Sequence, residues 1–133
     1  MNYWLFQSVV DRYDTRDSSL VKEGESDTWY ATRYRAKMKP GDIVFFWLGG
    51  IGDERGIYVT GTLASEPYKK AGWDSYGIDV TYKKKLSDPI LVAQVKSNKK
   101  LSGMLILRAP QATNFLLTEE QGKELVKLCG MEG

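Results

Sequence analysis

The sequence predicts an α+β fold. Five or six short strands curl into a small closed or nearly closed β-barrel, with short flanking helices and a C-terminal helix. Three features point there. The run Ile43–Leu48 is apolar at every position, as a strand buried on both faces would be. A glycine-rich link from Gly49 to Arg55 joins it to a second apolar run beginning at Gly56, so the two read as a hairpin. Near the end, Thr118-Glu119-Glu120-Gln121 has the spacing of a capping box, in which the threonine oxygen takes a free N–H and the glutamine reaches back.

Taken in order, Tyr3 to Ser8 is the first strand. Val9 to Asp27 is polar and charged, with a short helix expected from Ser19 to Glu23, stopped by Gly24. Thr28-Trp29-Tyr30-Ala31 follows, then one or two helical turns between Arg33 and Lys39. Pro40-Gly41-Asp42 is a turn into the central strand. There Ile43, Phe45 and Trp47 point one way and Val44, Phe46 and Leu48 the other. The next strand runs on to Ser65 and closes at Glu66-Pro67, because proline has no N–H for the ladder. Tyr68 to Tyr76 reads as a loop carrying Trp73. In Gly77–Lys84, Ile78, Val80 and Tyr82 alternate with Asp79, Thr81 and Lys83, a half-exposed strand. Ser87-Asp88-Pro89 reads as a turn, Ile90 to Val95 as a strand or helical turn, and Leu105 to Leu107 as a short strand or turn. Ala109 to Leu117 is extended and irregular. In the last helix Leu125, Leu128 and Cys129 share a face, and Gly130 ends it.

The 133 residues form one domain, 1–133, with no internal repeat and no break in composition. The apolar fraction of 42% and charged fraction of 27% are those of an ordinary soluble protein. No apolar run approaches the ~20 residues of a membrane span, and no signal-peptide core is present, so a cytoplasmic protein without membrane contact is expected. There is no histidine, which removes the commonest general base and the commonest transition-metal ligand. The single cysteine, Cys129, excludes an internal disulfide and reads as a packed thiol. Glycines 49, 50 and 52 do not form a phosphate-binding motif, and the pairs Asp53-Glu54 and Glu119-Glu120 read as solvated charges. No catalytic residue, metal or cofactor is expected. Net charge is +2, yet residues 69–108 hold nine basic and three acidic groups. Lys69, Lys70, Lys83, Lys84 and Lys85 in that stretch are candidate phosphate contacts.

Aromatic residues carry the functional signal. Trp4 and Trp47 lie within strands and read first as core. Trp29 stands beside Ser26, Asp27 and Thr28, and Trp73 between Gly72 and Asp74, so both are stronger candidates for ligand contact than the strand tryptophans. Flat rings with a few polar groups suit a planar base, whose stacking contributes ~1–3 kcal/mol. Asn114, a donor and an acceptor, suits a base edge.

Several stretches together resemble the EVE domain, of the PUA-like superfamily that includes PUA, ASCH and YTH domains. They are Tyr3-Trp4-Leu5-Phe6, Thr28 to Tyr34, Met38 to Trp47, Gly56 to Gly61, Ser65-Glu66-Pro67, Gln111-Ala112-Thr113-Asn114-Phe115 and the Thr118 helix start. The similarity runs essentially end to end. It implies a PUA-like mixed barrel that binds nucleic acid, particularly a modified base held in an aromatic pocket. By position, Trp29 is implied as the first wall, and Trp47 or Trp73 as the second. Gln111 to Phe115 is implied to border the pocket. The resemblance also implies a link to modification-dependent restriction or RNA modification, with a separate nuclease or RNA-modifying chain as partner.

The leading expectation is therefore a non-catalytic reader of a modified, methylated base in DNA or RNA. Its pocket would comprise Trp29, Trp47, Trp73, Asn114 and Phe115. One alternative is an ASCH-like enzyme acting on a nucleobase or nucleoside, with Asp27, Lys83 and Glu66 as loose acid–base candidates. Another is a small-ligand or protein interaction module.

Overall fold

The computed structural model describes residues 1–131. It contains strands β1 (Tyr3–Val9), β2 (Ser26–Tyr30), β3 (Ile43–Gly49), β4 (Gly56–Leu63), β5 (Tyr68–Lys69), β6 (Tyr76–Leu91) and β7 (Asn114–Leu116). The helices are α1 (Val92–Ser97) and α2 (Glu119–Leu128), with single 3₁₀ turns at Arg35–Lys37 and Leu105–Leu107. The strands form one curled mixed sheet in the order β2-β6-β4-β3-β1-β7, a half-barrel, and β5 adds to β6. Only β1 and β3 run parallel, with Tyr3 opposite Ile43 and Gln7 opposite Trp47.

The central strand is buried on both faces, as its composition predicts. Phe45 and Trp47 join Leu5, Ile57, Phe115 and the inward side chains of α1 and α2 in a helix-side core. Val44 and Phe46 join Trp4, Phe6, Trp29, Ile78, Val80 and Tyr82 in a core inside the curl. The helices cover one face of the sheet while the curl buries the other, so neither side of β3 needs polar alternation. Helix α2 begins with the expected capping box, Thr118 Oγ1 accepting from Gln121 N at 3.1 Å. It lies so close to β1 that a Cβ on Gly122 would overlap the Tyr3 ring. Cys129 is buried, and burial pushes its thiol up to about 12, which keeps it protonated and inert.

The Gly41-Asp42 turn does more than redirect the chain. Asp42 is 3% exposed, and its carboxylate accepts from Asn2 N, Lys39 N and the Trp4 indole N–H, the last at 3.0 Å. A buried carboxylate needs such donors, and here they tie β1 to the start of β3.

Four local expectations change. The helix at Ser19 is cut to a single turn, Asp17 capping it through Oδ1 to Ser19 N while Leu20 N and Val21 N bond to Asp17 O. The second hairpin strand ends at Leu63, not Ser65. The loop after Pro67 contains β5, paired with Tyr76 and Gly77. Ser87-Asp88-Pro89 is no turn. Strand β6 runs through it as a bulge, since Ile57 pairs with Ile90 but Val59 with Lys85, five residues of β6 against two of β4.

Candidate functional site

The sheet order leaves two edges, β2 and β7, and the curl brings them face to face. One side chain joins them. Asn114 on β7 is fully buried, accepts from Thr32 N at 2.8 Å through Oδ1, and donates through Nδ2 to Tyr30 O at 3.0 Å. Beyond that clasp the edges part. β7 covers β1 only from Trp4 to Phe6, while β1 continues to Val9 and β2 extends back to Ser26. The opening is a cleft of about 730 Å³. Gln7 to Val9 of β1, Asp27 to Tyr30 of β2, Arg12 and Tyr13 of the turn after β1, Trp73, and the 110–113 loop line it. Main-chain groups of β2 face it too. Ala31 N donates to Tyr76 O, so odd-numbered residues of β2 bond toward β6. The Thr28 C=O and Tyr30 N–H therefore turn toward the seam.

A hydrogen-bonded chain forms the floor. The Trp29 indole N–H donates to Tyr82 Oη at 2.8 Å, and the Tyr82 hydroxyl donates to Asp27 Oδ2 at 2.8 Å. The Tyr13 hydroxyl donates to the same oxygen. Asp27 Oδ1 accepts from Thr28 N at 2.8 Å. Burial pushes the Tyr13 phenol up to about 12, reinforced by its bond to Asp27, and burial likewise raises Tyr82. Both phenols stay protonated donors at neutral pH, so Asp27 is held by two hydroxyls and the Thr28 N–H, with about one acceptor position left on Oδ1 for the cleft.

Aromatic rings form the walls. Trp29 is 7% exposed, lies 4.8 Å from Phe46, and meets the Tyr13 ring edge-on at 5.7 Å and 84°. It is an edge of the barrel core presented to the cleft rather than an open platform. Tyr30 is 45% exposed and stacks on Trp73, their centroids 4.5 Å apart and 37° from parallel. Trp73 reaches that position because Gly77 has no side chain; a Cβ there would lie 3.2 Å from the indole and 2.9 Å from Thr28. On the other wall Gln7 Nε2 donates to Pro110 O and Ala112 O, both at 2.8 Å, and pins the loop.

Of the sequence-predicted pocket residues, the fold brings Trp29 and Trp73 to one cleft. Trp47 is a correction. It is 2% exposed and belongs to the helix-side core, because β3 is central and its odd residues face α1 and α2. Phe115 is in that same core. Asn114 does not offer its amide to a ligand edge, since the amide is engaged with Tyr30 and Thr32; it is the clasp that shapes the cleft. The lysines of β6 lie apart from the cleft. Lys84 Nζ donates to Cys129 O at 2.9 Å, where cationic charge suits the C-terminal end of α2. Lys85 Nζ donates to Val21 O at 3.2 Å, and Lys83 is exposed on β6; none of the three lines the cleft. Lys70 does lie beside it, 5.6 Å from the Trp73 ring centre, with Lys69 adjacent in β5. Of the acid–base candidates only Asp27 is in the cleft; Glu66 is exposed and 3.9 Å from Lys39. Gln7, Arg12, Tyr13, Tyr30 and Tyr82 carry no local sequence signal that marks them as site residues. Tyr30 sat next to Trp29 in the sequence, but nothing local distinguished Tyr13 in its polar stretch.

A second, shallower depression of about 450 Å³ lies along α2 and carries Lys100, Lys123, Lys127, Glu119, Glu120 and Glu124. Its charges balance, and it has no aromatic wall. Among the described residues no cluster of acidic or cysteine side chains is arranged to hold a metal ion. No described helix is long and apolar enough to cross a membrane.

Several solved structures share the fold. A hypothetical protein from Leishmania major superposes with a TM-score of 0.78 at 15% identity, over 98% of this chain and 95% of that one. Human THYN1, in a complex with DNA containing 5-methylcytosine, gives 0.75 at 16% identity over the full length of both chains. Rpa0253 from Rhodopseudomonas palustris gives 0.75 at 21% identity, over 98% of this chain and 94% of that one. No curated protein sequence matches the chain. The sequence profile of the EVE domain matches residues 2–128, nearly the whole chain, and the protein belongs to the EVE domain family.

Proposed function

We propose that this domain binds nucleic acid and reads a modified, methylated base turned out of its strand into the seam cleft. The observation that carries the reading is the cleft itself: a gap of about 730 Å³ with Trp29, Tyr30 and Trp73 on its walls and Asp27 at its floor. Turning out a base costs a few kcal/mol. Stacking on an aromatic wall returns ~1–3 kcal/mol. Asp27 and the Thr28 C=O are acceptors for the exocyclic amine that cytosine and adenine carry, and the Tyr30 N–H is a donor for a ring nitrogen. An added methyl group pressed on the rings contributes roughly 0.8 kcal/mol, enough to bias binding rather than to switch it absolutely. Arg12 at the mouth supplies charge for a neighbouring phosphate. The complex of human THYN1 with 5-methylcytosine DNA supports the same class of ligand for this fold relative. The reading is non-catalytic and needs no cofactor; a partner nuclease or RNA-modifying chain would act on what the domain marks.

The test is a tryptophan-fluorescence titration with short DNA and RNA oligonucleotides. They carry 5-methylcytosine, 5-hydroxymethylcytosine, N6-methyladenine or no modification, at two salt concentrations. Preference for one modified base that persists at high salt supports the reading. Trp73→Ala is the informative variant, expected to weaken binding roughly five- to a hundredfold, on the order of 1–3 kcal/mol, with the fold intact. Trp29→Ala would remove core as well as wall and confuse the two effects. Equal, salt-sensitive binding of every probe refutes base reading. Turnover of a nucleoside that Asp27→Asn abolishes would make the site enzymic instead.

A further inference from the structure

Beside the cleft mouth the surface changes character. Tyr30 and Trp73 stack on each other and line the mouth, and Lys70 Nζ lies 5.6 Å from the Trp73 ring centre. One step along, Ala31 N is bonded to Tyr76 O, and the Arg35 guanidinium sits 4.2 Å above the Tyr76 ring. Beyond that, the Arg33 guanidinium lies 5.1 Å from the ring of Tyr34, a residue 38% exposed and held in the left-handed region at φ 58°. Aromatic faces and cations thus alternate outward from the cleft.

The charge in this strip is one-sided. The segment 30–39 carries Arg33, Arg35, Lys37 and Lys39 and no acidic residue, and Tyr68 to Trp73 adds Lys69 and Lys70, again with none. Among the described residues the strip makes one ion pair, the 3.9 Å contact of Lys39 with Glu66, so Arg33, Arg35, Lys69 and Lys70 keep their charge unmatched. Elsewhere some cations are engaged. Arg16 pairs with Asp14 and Glu54, Lys84 and Lys85 hold main-chain carbonyls, and Lys100 and Lys123 pair with Glu124 and Glu119. Lys22, Lys83, Lys96, Lys99 and Lys127 also make no ion pair among the described residues; what sets the strip apart is the alternation of its cations with aromatic rings beside the cleft. Unmatched cations interleaved with rings fit a phosphodiester chain whose bases are free to stack, as they are not in a duplex.

We infer that the strip Tyr30–Trp73–Lys70–Tyr76–Arg35–Arg33 is a docking track for single-stranded nucleic acid, holding the nucleotides that flank whatever occupies the cleft. The track rests on the proposed function only for the identity of the cleft occupant. Flanking bases stack on Tyr30 and Trp73 while their phosphates pass Lys70, Arg35 and Arg33. Each added nucleotide tightens binding until the track is full, and a duplex, whose bases cannot leave their stack to reach the rings, gains nothing from length on this surface.

The test measures affinity for single-stranded DNA probes of three and nine nucleotides and for a nine-base-pair duplex. Each probe is made with and without a central 5-methylcytosine. The wild type is expected to bind the longer single strand at least tenfold more tightly than the trinucleotide, with a steep salt dependence. In the double variant Arg33→Ala, Arg35→Ala that gain falls several-fold and the salt slope shallows, while thermal unfolding stays at the wild-type temperature, as exposed side chains allow. Lys70→Ala does the same more weakly. Equal affinity for both lengths in the wild type overturns the track, as does an undiminished length gain in the double variant. A duplex bound as tightly as the single strand of equal length also overturns it. If methylated and plain probes bind alike while the length gain and its loss in the double variant persist, the base reading fails and the track stands.

Discussion

On the helix side of β3, Phe45 and Trp47 lie among Leu5, Ile57, Val95, Phe115 and Leu125, and that core is closed by two helices. On the other side, one residue along the same strand, Phe46 lies against Trp29 and Tyr82, whose N–H and O–H lead through hydrogen bonds to Asp27. The first core is apolar but for the buried Thr60 hydroxyl opposite Phe45, and the helices close it. The second is threaded by polar atoms and ends at a cleft. Polar groups in a core are costly unless their bonds are made, and the cleft-side groups are joined in one hydrogen-bonded chain from Trp29 through Tyr82 to Asp27.

That contrast can be broken by substitution. Phe45→Ala should have the largest effect, costing about 3–5 kcal/mol in urea unfolding, because α1 and α2 cannot collapse into the space left. It should leave cleft affinity unaltered while the fold persists. Asn114→Ala comes next, at about 2–3 kcal/mol, because the Tyr30 C=O and Thr32 N–H lose their partner. Unlike Phe45→Ala, it should also weaken oligonucleotide binding, since the seam is no longer held at one width. Tyr82→Phe should cost about 1–3 kcal/mol by leaving the buried Trp29 N–H without an acceptor, and should shift the tryptophan emission. An emission spectrum identical to wild type would mean that the floor chain does not persist in solution.

The smallest effect is one of pH, and it separates the two sides. Cys129 on the helix side is raised from 9.0 to about 12, and Tyr13 on the cleft side from 10.0 to about 12, both chiefly by burial. In each case the folded state keeps a proton that the unfolded chain releases. Stability is therefore full below pH 9 and declines as pH rises from about 9 for the thiol and 10 for the phenol toward 12. Cys129→Ala should flatten the earlier part of the decline and Tyr13→Phe should reduce the later part, which the raised Tyr82 phenol shares, read as urea midpoints across that range. A decline unchanged in both variants would place the alkaline sensitivity elsewhere.

Much of the architecture was legible. The apolar run Ile43–Leu48 announced a strand covered twice, and the Thr118 capping box placed α2 to the residue. The family resemblance rested on stretches that form β1, β2, β3, β4 and β7, while β6 lay outside it. The site was legible only in part. Trp29 and Trp73 stood out as aromatics flanked by polar residues and glycine, and both line the cleft. Trp47 misled because a tryptophan near the end of a strand has the same local sequence whether it faces ligand or helix. Asn114 was noticed for its hydrogen-bonding capacity, but its partners are residues 30 and 32, more than eighty positions away. Lysines in β6 looked like a phosphate patch because charge in a sequence carries no direction, whereas in space two of them point at main-chain carbonyls.

The division has a physical origin. Period-two alternation, capping chemistry, proline's missing N–H and the absence of histidine act over a few residues, so the sequence by itself determined most of the strands, the last helix and the exclusion of histidine chemistry. Alternation assigns residues to two faces of a strand without saying what covers either one. Only tertiary structure decided that the helices lie over Phe45 and Trp47. The meeting of β2 and β7, the clasp at Asn114 and the gathering of Tyr13, Tyr82 and Asp27 beneath Trp29 were decided there as well. The cleft is the part of a curled sheet that fails to close, and closure depends on the twist and pairing of all the strands together.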